Sequence, residues 1–286
     1  MTKEELEELE KKYRDLEIKY RNDKYAIIDE KRREIEELRD EYKINRLAIE
    51  EPLKAEKYRL KVEKKKENRR LNEAPKRNTL EEIGNAITHG LGALLGIACL
   101  ILMIFKATEW RSLTAAIVYG SCFFFQMLFS CLYHSFRHGT RVKRLFRRFD
   151  YISIYLQIGG TYAPLYLIYM VDHMWGLNAG LIFFIIQWVF IATGVTFVAI
   201  FGPGRIRWLH FTLYFVIGWS GIVFFPFWIK DNVPLLLWIL GGGVVYTLGM
   251  IPFAALKKRP VSHFIWHFVV LIGAILMWTG IYLCVF

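Results

Sequence analysis

From residue 81 onward the chain is a series of apolar runs, each about 20 residues long, separated by short clusters of charge. A helix rising 1.5 Å per residue needs about that length to cross a hydrocarbon core of about 30 Å. Seven runs fit, near 83–105, 112–136, 151–171, 177–201, 208–228, 233–256 and 261–286. Backbone polar groups cannot go unpaired in lipid, so each run is expected to be helical. The predicted fold class is an all-α membrane protein, a seven-transmembrane helix bundle over residues 81–286. Gly159, Gly160 and Pro164 predict a kink in the third helix, and the spacing of Gly92 and Gly96 predicts close contact with a neighbouring helix.

The first 80 residues follow a different pattern. Leu6, Leu9, Tyr13, Leu16, Tyr20 and Ile27 recur at heptad-like steps, and so do Ile28, Ile35, Leu38, Tyr42 and Ile49. The frame slips by one residue after Asn22-Asp23, so either a coil is interrupted there or two helices fold back on each other. Pro52 should end the run. This divides the region into a charged, heptad-like helical segment over 1–52 and a basic juxtamembrane linker over 53–80. The helical segment is either a solvated single helix held by Glu/Lys pairs or an element that self-associates, forms a hairpin or binds a protein partner.

Charge sharpens the division. Residues 1–80 hold 24 of the 38 Lys/Arg and 21 of the 27 Asp/Glu. Lys64, Lys65, Lys66, Arg69 and Arg70 cluster just before the first apolar run, a placement suited to anionic lipid headgroups. No recognised nucleic-acid fold or aromatic platform accompanies them, which argues against a nucleic-acid partner.

The remaining positive residues give an orientation. The loops after the second, fourth and sixth runs carry Arg137, Arg141, Lys143, Arg144, Arg147, Arg148, Arg205, Arg207, Lys257, Lys258 and Arg259, which makes 11. The alternate loops hold Lys106, Arg111 and Lys230, which makes 3. Positive loops stay cytoplasmic, so the N-terminus is expected inside and the C-terminus outside, in a multi-pass protein of the plasma (inner) membrane. That orientation excludes a G-protein-coupled receptor. A retinal protein is excluded because no lysine lies between Val261 and Phe286 to form a Schiff base.

Few groups in the apolar region carry chemistry. Cys99, Cys122, Cys131 and Cys284 all lie within apolar runs and form no Cys-x-x-Cys pair, so they suit packing rather than a disulfide or a thiolate metal site. His134 lies near the cytoplasmic end of the second run, and His263 and His267 lie in the first turns of the seventh. A spacing of four puts His263 and His267 on one helix face, and likewise Ser130 and His134. Three imidazoles plus a water make the ligand set of a catalytic zinc site with an open position. Asp150 begins the third run at the same depth, where it could orient a ligand or accept a proton. Each group also has an ordinary alternative. Interfacial histidines bond backbone carbonyls or headgroups, Ser130 could bond its own helix, and Asp150 could pair with neighbouring arginines. His89, near the same face, is either a packing group, a fourth ligand or a partner of one. His138, His173 and His210 lie in or beside loops and receive no role.

Several segments together resemble a known family. They are Glu82 to Gly90, Ser130-Cys-Leu-Tyr-His134, Arg148-Phe-Asp150, Gly160-Thr-Tyr-Ala-Pro164, Leu213 to Trp219, Gly242 to Gly249 and His263-Phe-Ile-Trp-His267. In this order they resemble the hemolysin III branch of the progestin and adiponectin receptor (PAQR) superfamily, over about residues 80–286. The resemblance implies a zinc site near the cytoplasmic side, with His134, His263 and His267 as ligands and Asp150 and Ser130 supporting the bound water. It further implies membrane lipids as partners. The activity it suggests is either hydrolysis of a lipid amide or ester within the bundle, as linked to adiponectin receptors, or the haemolysis and pore formation that name the bacterial branch; the non-enzymatic alternative is a pore, a transporter or a membrane-state regulator or receptor in which zinc is structural. The sequence departs from the bacterial pattern in having Tyr151 after Asp150 and about 75 additional N-terminal residues.

Overall fold

The computed structural model describes residues 3–255 and 261–286, which form two compact units, 1–71 and 72–286. Among the described residues every regular element is helical. Lys257, Lys258 and Arg259, counted above among the cytoplasmic charges, lie outside the described residues.

The first unit is a helical hairpin. Helix α1 (Lys3–Glu50) runs unbroken through Asn22-Asp23, and α2 (Pro52–Leu71) begins at the proline expected to end the run. Proline suits that first helical position because its missing N–H would have no partner there. The fold-back therefore lies at residue 51, and most of the expected linker is helix. Polar contacts join the two helices: the Tyr58 hydroxyl donates to Asp40 (2.8 Å), Arg69 to Glu36 (2.8 Å) and Lys65 to Glu36 (2.6 Å). Leu9, Tyr13, Leu16 and Tyr20 remain exposed on α1.

Hydrogen bonds first from Lys65 and then from Arg69 hold the Glu36 carboxyl down to about 2 from 4.5. A lowered carboxylate pKa contributes stability that is complete above the unfolded value and is lost as pH falls through the folded one. Acidification from pH 5 to pH 2 is therefore expected to loosen α2 from α1. The partners are partly exposed, so the loss should be at most about 1 kcal/mol. Lower amide protection across 52–71 at pH 2 than at pH 5, each relative to the intrinsic exchange rate at that pH, would show it; equal protection at both would refute it.

In the second unit, α3 (Thr79–Lys106), α4 (Trp110–Ser135) and α5 (Arg141–Pro164) pack in sequence. Their starts are capped. Asn78 accepts from the Leu80 N–H, Glu109 and Ser112 form a reciprocal box, and Thr140 accepts from the Lys143 N–H. After Pro164 the chain makes a π-helical turn (Leu165–Tyr169) and a last turn, α6 (Met170–His173), so the expected irregularity takes the form of a change in helix type. Then come α7 (Gly176–Phe201), α8 (Arg207–Trp219), a 3-10 segment (Ser220–Phe224), α9 (Phe225–Asp231), α10 (Val233–Ala255) and α11 (Val261–Cys284).

The last helix returns to the first of this unit: α11 packs on α3 as well as on α10. Ala93 and Cys99 of α3, Phe123 and Met127 of α4, and Val270 and Ala274 of α11 form one buried cluster. Gly92 permits the approach, since a Cβ there would lie 2.9 Å from the Met127 sulfur and 3.1 Å from Leu271; one at Gly96 would lie 3.0 Å from the Phe124 Cα. Small residues thus seat α4 and α11 on α3, as their spacing predicted.

Six helical segments among the described residues are long and apolar enough to cross a membrane: Thr79–Lys106, Trp110–Ser135, Gly176–Phe201, Arg207–Asp231, Val233–Ile251 and Ser262–Cys284. The third expected span falls on α5, which opens with Arg141, Lys143, Arg144, Arg147, Arg148 and Asp150; its apolar part continues past Pro164. Those early charges keep it below the composition of the other six.

Candidate metal centre

The seating of α4 and α11 on α3 brings three histidines together. His134 is in the last turn of α4, and His263 and His267 lie one turn apart near the start of α11. The His263 Nε2 lies 3.4 Å from the His134 Nε2 and 3.1 Å from the His267 Nε2. One nitrogen from each ring falls within 4.8 Å of the others. His134 and His267 are buried and His263 is half-buried.

Lone pairs facing one another at this distance repel unless a proton or a cation lies between them. Ligands bound 2.0–2.1 Å from a tetrahedral ion stand roughly 3.3 Å apart, so the observed spacings suit a metal. The donor set, all imidazole and free of thiolate, suits a borderline divalent ion.

Asp150 and Ser130 stand beside the triad rather than within it. Ser130 is buried, one turn before His134 and near Asp150. Both line a cavity of about 250 Å³ together with His263 and His267. Along α5 and into the π-helical turn its wall runs from Asp150 through Gln157 to Leu165, ~22 Å of helix at 1.5 Å per residue. Beyond the polar groups the lining is largely aromatic and aliphatic, with Tyr162, Trp219, Phe225, Trp228, Val270 and Met277. Such a cavity, polar near a candidate metal and apolar along its length, can admit the chain of an amphipathic molecule.

The structure also brings in Glu82, to which the sequence pattern gave no role, and places His89, for which three roles stood open. Glu82 Oε2 lies 2.5 Å from the His134 Nδ1, and Glu82 Oε1 accepts from Lys143 at 2.7 Å. His89, buried, stands outside the triad with its Nε2 3.0 Å from the His267 Nδ1. Glu82, Asn85 and His89 follow a three-then-four spacing on α3, the signal that could have marked Glu82. His210, set aside above as a residue beside a loop, is fully buried with its Nδ1 3.1 Å from the Tyr155 hydroxyl.

The sequence was compared with known proteins. A family model described as haemolysin-III related matches residues 77–278. Hemolysin-3 of Bacillus cereus is 38% identical over 202 residues, covering 69% of this chain and 88% of the relative. The Hemolysin-3 homolog of Bacillus subtilis (strain 168) is 33% identical over 201 residues, covering 69% and 91%. All five candidate residues, Ser130, His134, Asp150, His263 and His267, lie inside the matched region.

Proposed function

The chain belongs to the haemolysin-III related family of multi-pass membrane proteins, and from its histidine triad we propose that it is a zinc-dependent hydrolase of a lipid amide or ester. The observation that carries this reading is the convergence of three imidazole Nε2 atoms, at 3.1 and 3.4 Å, beside Asp150 in an elongated, largely apolar cavity. His134, His263 and His267 would hold the ion. Zinc there supplies Lewis acidity and an activated water nucleophile near neutral pH. Asp150 would accept a proton from water at the site, and Ser130 would hold its carboxyl in place. The aromatic and aliphatic lining takes the acyl chain and keeps bulk water away.

In this reading α5, with its π-helical continuation, is the third of seven spans; the N-terminus is cytoplasmic and the C-terminus outside. The loop charges, 11 against 3, support that orientation, and the charged start of α5 then lies at the cytoplasmic face beside the triad. A second reading is favoured by the relatives' name, Hemolysin-3. In it the protein permeabilises membranes and its metal only joins α4 to α11.

The deciding experiment is turnover. Purified protein loaded with zinc is expected to hydrolyse at least one member of a panel of lipid amides and esters, to stop when chelated, and to resume when zinc is restored. Zinc-loaded protein that hydrolyses none of the panel would sink the enzyme reading.

A further inference from the structure

We propose that Glu82 and His89, both on α3, are positioning residues that fix how His134 and His267 face the metal. The inference rests on the zinc reading above. A neutral imidazole can offer Nε2 to an ion only when its proton sits on Nδ1, so each ligand needs an acceptor behind it. The α3 helix contributes no member of the triad, yet it supplies such an acceptor to two of the three.

Behind His134 the acceptor is a carboxylate. Glu82 Oε2 is 2.5 Å from Nδ1, and an ionised carboxylate can only accept, so Nδ1 is the donor and Nε2 is left for the ion. The other oxygen is held by Lys143 at 2.7 Å, and that ammonium also sits 4.8 Å over the Tyr133 ring. The Lys143 and Glu82 side chains are 1% and 15% exposed. A carboxylate tethered at both oxygens cannot turn away. The Asn85 Nδ2, 3.5 Å from the same His134 nitrogen, is too distant to compete.

Behind His267 the acceptor is another imidazole. The His89 Nε2 lies 3.0 Å from the His267 Nδ1 and 3.3 Å from the His267 carbonyl oxygen, with the ring centroids 4.1 Å apart. Two proton arrangements satisfy these distances. Either His89 donates from Nε2 to the carbonyl, or the His267 Nδ1 donates to His89. An ion on the His267 Nε2 selects the second, in which His89 is the acceptor. Both acceptors sit on one face of one helix, which makes the register of α3 against α4 and α11 a determinant of metal affinity.

The test compares zinc affinity of the full chain in detergent or nanodiscs, by competition with a chromophoric chelator, and reads the coordination of substituted cobalt from its visible spectrum. Glu82→Gln leaves Lys143 buried beside a neutral amide, so the double variant Glu82→Gln, Lys143→Met is included to remove the ion pair as a whole. Both of these, and His89→Phe, are expected to bind zinc about 10- to 100-fold more weakly. The cobalt spectrum should stay tetrahedral, and the metal-free melting temperature of the double variant should match wild type. Wild-type zinc affinity in the double variant and in His89→Phe overturns the proposal. So does weaker binding accompanied by an equal fall in metal-free melting temperature, which would mean that the residues only pack. Should the wild-type protein itself bind no zinc, the zinc reading falls and takes this inference with it, an outcome distinguishable because it appears before any variant is made.

Discussion

Alanine at His134, His263 and His267 together is expected to take the protein from about one zinc per chain to none. The three rings come from two helices and share one small volume, with Nε2 separations of 3.1 and 3.4 Å, so removing them leaves no comparable donor set among the described residues. The consequence reaches stability as well. An ion that binds only the folded state at a free concentration 1,000 times its dissociation constant adds about 4 kcal/mol. Chelated wild type should therefore melt well below the zinc-loaded protein, and added zinc should raise the melting temperature of wild type but not of the triple variant. Because three buried alanines also leave a cavity, His→Gln at each position is the gentler control, and it should lose zinc with less effect on the metal-free protein. Elemental analysis of purified protein decides the matter: a triple variant that keeps its full complement of zinc would show that the triad is not the site.

The histidine triad was legible in the sequence because it depends on two local spacings. Ser130 with His134 and His263 with His267 are each one helical turn apart, and loop charge put both pairs at the same end of their helices. The small residues Gly92 and Gly96 were legible for the same reason, since helix contact in lipid leaves a local trace. Glu82 was not. In the sequence it is an acidic residue in the first turn of a helix, where a carboxylate is ordinary because it suits the helix dipole. Its bond to His134 exists only once α3 lies against α4, and its spacing from Asn85 and His89 is the one local trace. The third expected span is missing from the six for a related reason: α5 opens with charges that lower its apolar content. Among those charges, Lys143 binds Glu82 and Asp150 lines the cavity. The N-terminal arm shows the reverse case. Its heptad pattern predicted helix, which α1 is, but a slip of one residue suggested a break at Asn22-Asp23. The helix passes through that point, because in a long solvated helix no neighbour enforces the frame, and the chain turns at Pro52 instead.

Asp150→Asn is expected to lower turnover about 10²- to 10⁴-fold while leaving zinc content unchanged. The substitution keeps the shape of the side chain and a hydrogen-bonding oxygen for Ser130, but it removes the group that accepts the proton. Asp150 is not one of the clustered imidazoles, so the ion should stay. Ser130→Ala, which removes only the carboxyl's support, should cost less than the loss of the base itself. The same variant separates the two readings of the family. If the zinc joins α4 to α11 and the protein acts by permeabilising membranes, dye release from vesicles should be the same for Asp150→Asn as for wild type, and both should lose it on chelation. If the cavity is catalytic, hydrolysis falls with Asp150 while zinc content and the zinc-dependent rise in melting temperature persist. An Asp150→Asn protein that hydrolyses its lipid at the wild-type rate would remove the base from this scheme. The triad would then stand as a metal clasp between the two helices.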